Sequence, residues 1–101
     1  MPVFQKVLIA NRGEIALRIH RSLKAMGLST VVAYHAVDAG SPAVLEADQA
    51  VELHGATPVA AYLDIAQVVE ACRSTGAQAV HPGYGFLSEN TAFARTLMQA
   101  G

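Results

Sequence analysis

Short apolar runs rich in β-branched residues recur along the chain, and stretches with helical periodicity lie between them. Val7-Leu8-Ile9-Ala10 is continuous and ends at Asn11-Arg12-Gly13, which predicts a buried strand running into a tight turn. From Glu14 to Met26 the apolar positions Ile15, Ile19, Leu23 and Met26 repeat at helical spacing, with Glu14 in the first turn and Gly27 as the stop, so an amphipathic helix follows. Thr30-Val31-Val32-Ala33-Tyr34 arrives so soon after that helix that it reads as the return strand of a βαβ unit, which makes the sheet parallel. A turn-rich break over 38–42, one or two helical turns from Val44 to Asp48, and a third strand at Ala50 to Leu53 come next. A loop from His54 to Ala60 leads to a helix that starts near Asp64, its N-terminal cap, and ends near Gly76. Gln78 to His81 is a fourth strand cut off by Pro82, and Ser88 opens a last helix through about Met98 with Gly101 as its C-cap.

Strands alternating with helices over short loops predict an α/β, Rossmann-like open parallel sheet of about four strands with helices on both faces. The 101 residues and their 52% hydrophobic share support a single domain over 1–101 with one core. Ending on a helix, where an alternating fold would supply another strand, it is expected to be a piece of a longer polypeptide.

Charge narrows the function classes. Seven Lys and Arg against eight Asp and Glu give no excess of the kind that binds nucleic acid or anionic membrane. The N-terminus has no signal-peptide pattern and no apolar run approaches the roughly 18 residues of a membrane span, so a cytoplasmic protein is expected. The single cysteine, Cys72, rules out an internal disulfide; it sits in an apolar helical pattern beside no basic residue except Arg73, as a core thiol would.

Two loops leave predicted strand ends with residues suited to chemistry, where doubly wound sheets bind their ligands. Asn11-Arg12-Gly13-Glu14 is neither a dinucleotide fingerprint nor a P-loop. It reads either as an arginine and an amide at an anion-favouring helix N-terminus or as a tight structural turn with Arg12 paired to a neighbouring carboxylate, and the turn is the expectation. In the second loop, from His81 to Asn90, Gly83 and Gly85 flank Tyr84 and Ser88 can cap the following helix. A ligand-facing loop and a simple packed glycine turn explain these residues equally well. His20, His35, His54 and His81 lack metal-ligand spacing, so no metal site is expected. No Ser, Cys or Lys has a base placed near it by helical spacing, and Arg18 and Arg21 at i and i+3 read as a solvated face.

The strings VLIANRGEIAL (Val7 to Leu17) and HPGYGFLSEN (His81 to Asn90) closely resemble the N-terminal domain of biotin carboxylases, the pre-ATP-grasp domain. Ala47-Asp48 and Tyr62-Leu63-Asp64-Ile65 fall at the family's intervals, so the likeness runs the whole chain without a gap. A domain of the same type opens the synthetase halves of carbamoyl phosphate synthase, a more distant relative.

The resemblance implies a complete enzyme in which ATP activates bicarbonate as carboxyphosphate and the carboxyl group passes to biotin on a carrier protein. ATP, Mg²⁺ and biotin are therefore the implied cofactors of the whole enzyme, with none bound by this domain alone. No catalytic residue is implied here, because the family's nucleotide lid, metal carboxylates and catalytic Arg and Lys lie beyond this domain. The implied partners are the ATP-grasp and C-terminal domains of the same polypeptide, a biotin carrier, a carboxyltransferase and a second copy in a homodimer.

By the same likeness, Tyr84 and Gly85 match the loop beside the biotin ureido ring, and Glu89 and Asn90 match its end at the active-site rim. Arg18 and Arg21 match positions at the subunit interface of bacterial homodimers, and Asn11, Arg12, Gly13 and Glu14 match a structural turn. Two segments depart from the family. Ala43 stands where members carry a histidine, and His54-Gly55-Ala56-Thr57-Pro58 replaces I-G-P-A-P. These departures point to a branch other than the housekeeping acetyl-CoA enzyme. The competing readings are a stand-alone nucleotide-binding or interaction module and the start of a carbamoyl phosphate synthase-like enzyme.

Overall fold

The computed structural model describes residues 5–82. The last predicted helix and the positions Tyr84, Gly85, Ser88, Glu89 and Asn90 lie outside them. Four strands, β1 (Lys6–Ile9), β2 (Ser29–His35), β3 (Gln49–Leu53) and β4 (Ala79–His81), form one parallel sheet in the order β3-β2-β1-β4. The helices are α1 (Gly13–Ala25), α2 (Pro42–Glu46), α3 (Pro58–Tyr62) and α4 (Ile65–Thr75), with a 3₁₀ turn at Ala36–Asp38.

Alternating strand residues fill two cores, one on each face. Val7, Ile9 and Val32 meet Ala16, Leu17 and Leu23 of α1 and Ala43 of α2. Leu8, Ala10, Val31, Ala33 and Leu53 meet Ala61 and Tyr62 of α3 and Val68, Val69 and Ala71 of α4. Continuous apolar runs such as Val7 to Ala10 follow from this, since a strand covered on both faces has no polar side.

The structure corrects the sequence reading in three places. On α1 the buried residues are Ala16, Leu17, His20 and Leu23, whereas Ile15 and Met26 are 37% and 71% exposed. Ile15, Ile19 and Met26 form a second apolar stripe beside the buried one, and His20 enters the core because its Nδ1 lies 2.9 Å from the Thr30 hydroxyl. The predicted loop over 54–60 gives way to α3 at Pro58. There Thr57 accepts the Ala60 N–H at 3.2 Å and Pro58 occupies the first helical turn, an N-cap and proline pair that starts a helix. By the same proline logic, α2 begins at Pro42, two residues before the predicted start.

The boundaries of α4 follow from local chemistry. Asp64 caps it by accepting the Gln67 N–H at 3.2 Å, and Gly76 ends it at φ 76°, a left-handed conformation that favours glycine.

Two titrating groups give measurable consequences. Asp48 accepts the Thr30 N–H at 2.8 Å and pairs with Lys24 at 3.0 Å, and these contacts hold its carboxyl below the ordinary value of 3.8. A depressed carboxylate contributes stability that is complete above its unfolded value and is lost as pH falls through the folded one. Asp48→Asn therefore flattens the loss of stability below about pH 4 in urea titrations across pH. Burial pushes the Cys72 thiol up to about 11 from 9.0. The native thiol accordingly reacts with iodoacetamide at pH 7.5 roughly a hundredfold more slowly than the unfolded one, and equal rates would contradict its burial against the α4 core.

Candidate functional site

The sheet reverses its direction of growth at β1. The path β1 to β2 to β3 moves one way, and the chain then crosses back to place β4 on the other side of β1. Such a switch point opens a crevice beyond the carboxyl ends of the two strands, where α/β sheets hold ligands. The turn 11–14 leaves β1 here, and His81-Pro82 leaves β4 beside it.

Asn11 joins the two exits. It is 1% exposed, its Nδ2 donates to the Pro82 carbonyl at 2.8 Å, and its Oδ1 accepts the Arg12 N–H at 2.8 Å. Ala10 N–H donates to the His81 carbonyl at 3.0 Å just before it. Gly13 sits at φ 65° with open space where a Cβ would stand, so the backbone conformation is what calls for glycine at this position. Glu14 is exposed in the first turn of α1.

Arg12 turns toward the neighbouring loop and donates to Asp38 Oδ1 at 2.8 Å. The other Asp38 oxygen accepts the Tyr62 hydroxyl at 3.0 Å, and that hydroxyl in turn accepts the His35 N–H at 3.3 Å. The Arg12 guanidinium carbon lies 6.0 Å from the Tyr62 ring centre, at the outer reach of a cation–π contact. Burial and the Asp38 carboxylate push the Tyr62 phenol up, which keeps it a donor. His35 completes the cluster: its Nδ1 accepts the Val37 N–H at 3.2 Å, so Nε2 carries the hydrogen donated to the Gly55 carbonyl at 2.8 Å. The Asp38 carboxylate thus ties the turn after β1 to the end of α3, and His35 adds the loop at Gly55. Sequence reasoning missed Asp38 and Tyr62 as a pair, since 24 positions separate them; the one available signal was that a buried tyrosine hydroxyl requires a partner.

Arg18 and Arg21 are on the exposed side of α1. Arg21 reaches Glu46 at 3.5 Å, and Arg18 has no ion-pair partner among the described residues. Arg18 lies with Ile15, Ile19, Ser22, Met26 and His81 around a groove of about 480 Å³. Among the described residues no group of three or more His, Cys, Asp or Glu side chains could hold a metal ion, so no step through Mg²⁺ is assigned to them. No helix among the described residues is long and apolar enough to cross a membrane.

Comparison with known families settles what this arrangement belongs to. The model of the biotin carboxylase N-terminal domain matches residues 3–101. The chain belongs to that family. The propionyl-CoA carboxylase alpha chain of Caenorhabditis briggsae, named as mitochondrial, is 52% identical over 100 residues, covering 99% of this chain and 14% of that relative. Urea amidolyase of Saccharomyces cerevisiae is 48% identical over 99 residues, covering 98% of this chain and 5% of its own length. The biotin carboxylase domain dimer of Hydrogenobacter thermophilus 2-oxoglutarate carboxylase, solved with MgADP, ADP and bicarbonate, superposes with a TM-score of 0.92 at 42% identity. It covers 100% of this chain and 22% of that one. The family match thus takes in almost the whole of this chain, while the chain spans 22% or less of each of these three proteins.

Proposed function

We propose that this domain forms one wall of the active site in which a complete biotin carboxylase uses MgATP and bicarbonate to carboxylate biotin on a carrier protein. The observation that supports this most strongly is the switch point itself: the family's two motifs leave β1 and β4 side by side, joined through Asn11 and Pro82. In this reading the Tyr84 ring gives the biotin ureido group an apolar wall, Gly85 lets the backbone approach it, and Glu89 and Asn90 line the rim. The Arg12–Asp38–Tyr62 cluster keeps the adjoining loops fixed, and Asn11, Gly13 and Glu14 belong to the same structural turn. MgATP is held by an ATP-grasp domain of the same polypeptide, and a carboxyltransferase takes the carboxyl group onward from the carrier.

The groove on α1 suits a second copy of the enzyme. Arg18 stands without an ion-pair partner among the described residues beside exposed Ile15 and Met26, a cation on an apolar rim, and the related 2-oxoglutarate carboxylase domain was solved as a dimer. The cytoplasm is the proposed compartment.

Calorimetry of the 101-residue chain with MgATP, in the presence of bicarbonate and biotin, tests the division of labour. The expected result is no saturable heat, because the nucleotide site belongs to another domain. Saturable binding would instead favour a self-sufficient nucleotide-binding module.

A further inference from the structure

His35 closes β2 and opens the 3₁₀ turn that follows it, and its ring bonds backbone on both sides. As N-cap of the turn, its Nδ1 accepts the Val37 N–H at 3.2 Å, and its Nε2 donates to the Gly55 carbonyl at 2.8 Å. Neither partner can exchange its role, since a backbone N–H only donates and a carbonyl only accepts. The neutral ring with its hydrogen on Nε2 is therefore the form that satisfies both. A second proton has to go on Nδ1, where it points at the Val37 N–H. It removes the acceptor of one bond and sets donor against donor, in a residue only 9% exposed.

The charges around the ring do not offset this. Strand alternation puts His35 on the face of the sheet that Val31 and Ala33 share with α3 and α4. In the turn itself, Asp38 already accepts from Arg12 at 2.8 Å and from the Tyr62 hydroxyl at 3.0 Å. Along β3, Glu52 pairs with His54 at 3.4 Å. On α4, the Asp64 cap accepts from Gln67, Glu70 lies 3.9 Å from Arg73, and Cys72 is a neutral thiol. Each of these carboxylates is engaged elsewhere, so a charged ring would gain no hydrogen-bonded counterion. The cost falls on the turn that carries Asp38, whose carboxylate joins Arg12 to Tyr62. The His35 N–H also donates to the Tyr62 hydroxyl, at 3.3 Å, so the ring and the carboxylate hold the same chain of bonds.

We infer that His35 is an acid-released latch: its neutral ring holds the turn at Ala36–Asp38, and a proton on Nδ1 frees that turn together with the Asp38 bonds to Arg12 and Tyr62. The latch stands on residues of β2, the Gly55 loop and α3, independently of the reading given under Proposed function. Histidine changes its charge between about pH 5 and 8, and in the unfolded chain the ring takes its proton at no cost to any bond. The unfolded state therefore binds more protons as pH falls, and stability falls with it.

Amide hydrogen exchange, expressed as protection relative to an unstructured chain at the same pH, reads the latch locally. Between pH 7.5 and 5.5 the protection of the Val37 and His35 amides is expected to fall about tenfold, as the loss of a buried hydrogen bond implies. Val31 and Val32, at the centre of the sheet, change less than about twofold over the same interval. In His35→Asn the side-chain oxygen still caps the turn but nothing titrates, so both amides keep one protection at the two pH values. Ring ¹⁵N shifts of the wild-type chain give a test that needs no variant. At pH 7.5 they show the hydrogen of His35 on Nε2, and at pH 5.5 the ring gains charge only as the Val37 amide loses protection. His54, exposed at the end of β3, gains charge without that effect. Three results would each overturn the inference: a hydrogen on Nδ1 at pH 7.5, Val37 protection unchanged at pH 5.5, or the same pH dependence in wild type and His35→Asn.

Discussion

Tyr62→Ala is expected to destabilise the domain by about 3–5 kcal/mol, and Tyr62→Phe by about 1–3 kcal/mol. Tyr62 is among the largest fully buried side chains, at 1% exposure, and it packs with Leu8, Val31, Leu53 and Val68. Truncation to alanine removes the ring from that core and leaves a cavity, which is where the larger figure comes from. Phenylalanine keeps the ring and removes only the hydroxyl. The Asp38 oxygen then loses its donor and the buried His35 N–H loses its acceptor, which is where the smaller figure comes from. The ratio of the two effects is as informative as their sizes. Urea unfolding of the two variants measures both, and equal losses would mean that the ring contributes nothing beyond its hydroxyl.

Tyr84→Ala in the complete enzyme is expected to lower kcat/KM for biotin by at least about tenfold while kcat/KM for MgATP falls much less. In the proposed reading the ring is an aromatic wall that positions the ureido group of biotin alone, so its loss registers on one substrate. Steady-state kinetics with each substrate varied in turn separates the two. Equal losses for biotin and MgATP would remove the specific role given to the ring. The Tyr62 and Tyr84 predictions are independent: one concerns a buried side chain bonded to Asp38 and is read out by unfolding, the other a side chain proposed to meet biotin and is read out by turnover.

Much of the fold was legible because its signals are local. Val7 to Ala10 and Thr30 to Tyr34 are short runs with no polar face, as strands covered on both sides must be. Asp64 and Gly76 carry the cap and the stop of α4 in their own side chains and backbone preferences. The buried face of α1 was less legible, because Ile15, Ile19 and Met26 offer a helical stripe as regular as the buried one. Only the neighbouring strands, and the Thr30 hydroxyl that accommodates His20, decide which stripe turns inward. The start of α3 was written in Thr57-Pro58, but Gly55 and Pro58 also fit a loop, and the Thr57 cap becomes visible only once Ala60 is placed above it.

The candidate site divides along the same line. Its location follows from strand order, which the βαβ pattern allows one to anticipate, and its residues follow from the two motifs. The contacts among them depend on pairs far apart in the sequence: Asn11 with Pro82, Arg12 with Asp38, and Asp38 with Tyr62. Spacing carries no information about such pairs. They emerge only after the sheet has brought the ends of β1, β2 and β4 together.

The central claim is that this domain serves ATP-dependent carboxylation of biotin, and incorporation of labelled bicarbonate by the complete enzyme tests it most directly. With MgATP and free biotin present, acid-labile label is expected on biotin, with ADP formed in step and neither appearing when biotin or ATP is withheld. ADP formation that is indifferent to biotin, with no label on biotin, would contradict the account.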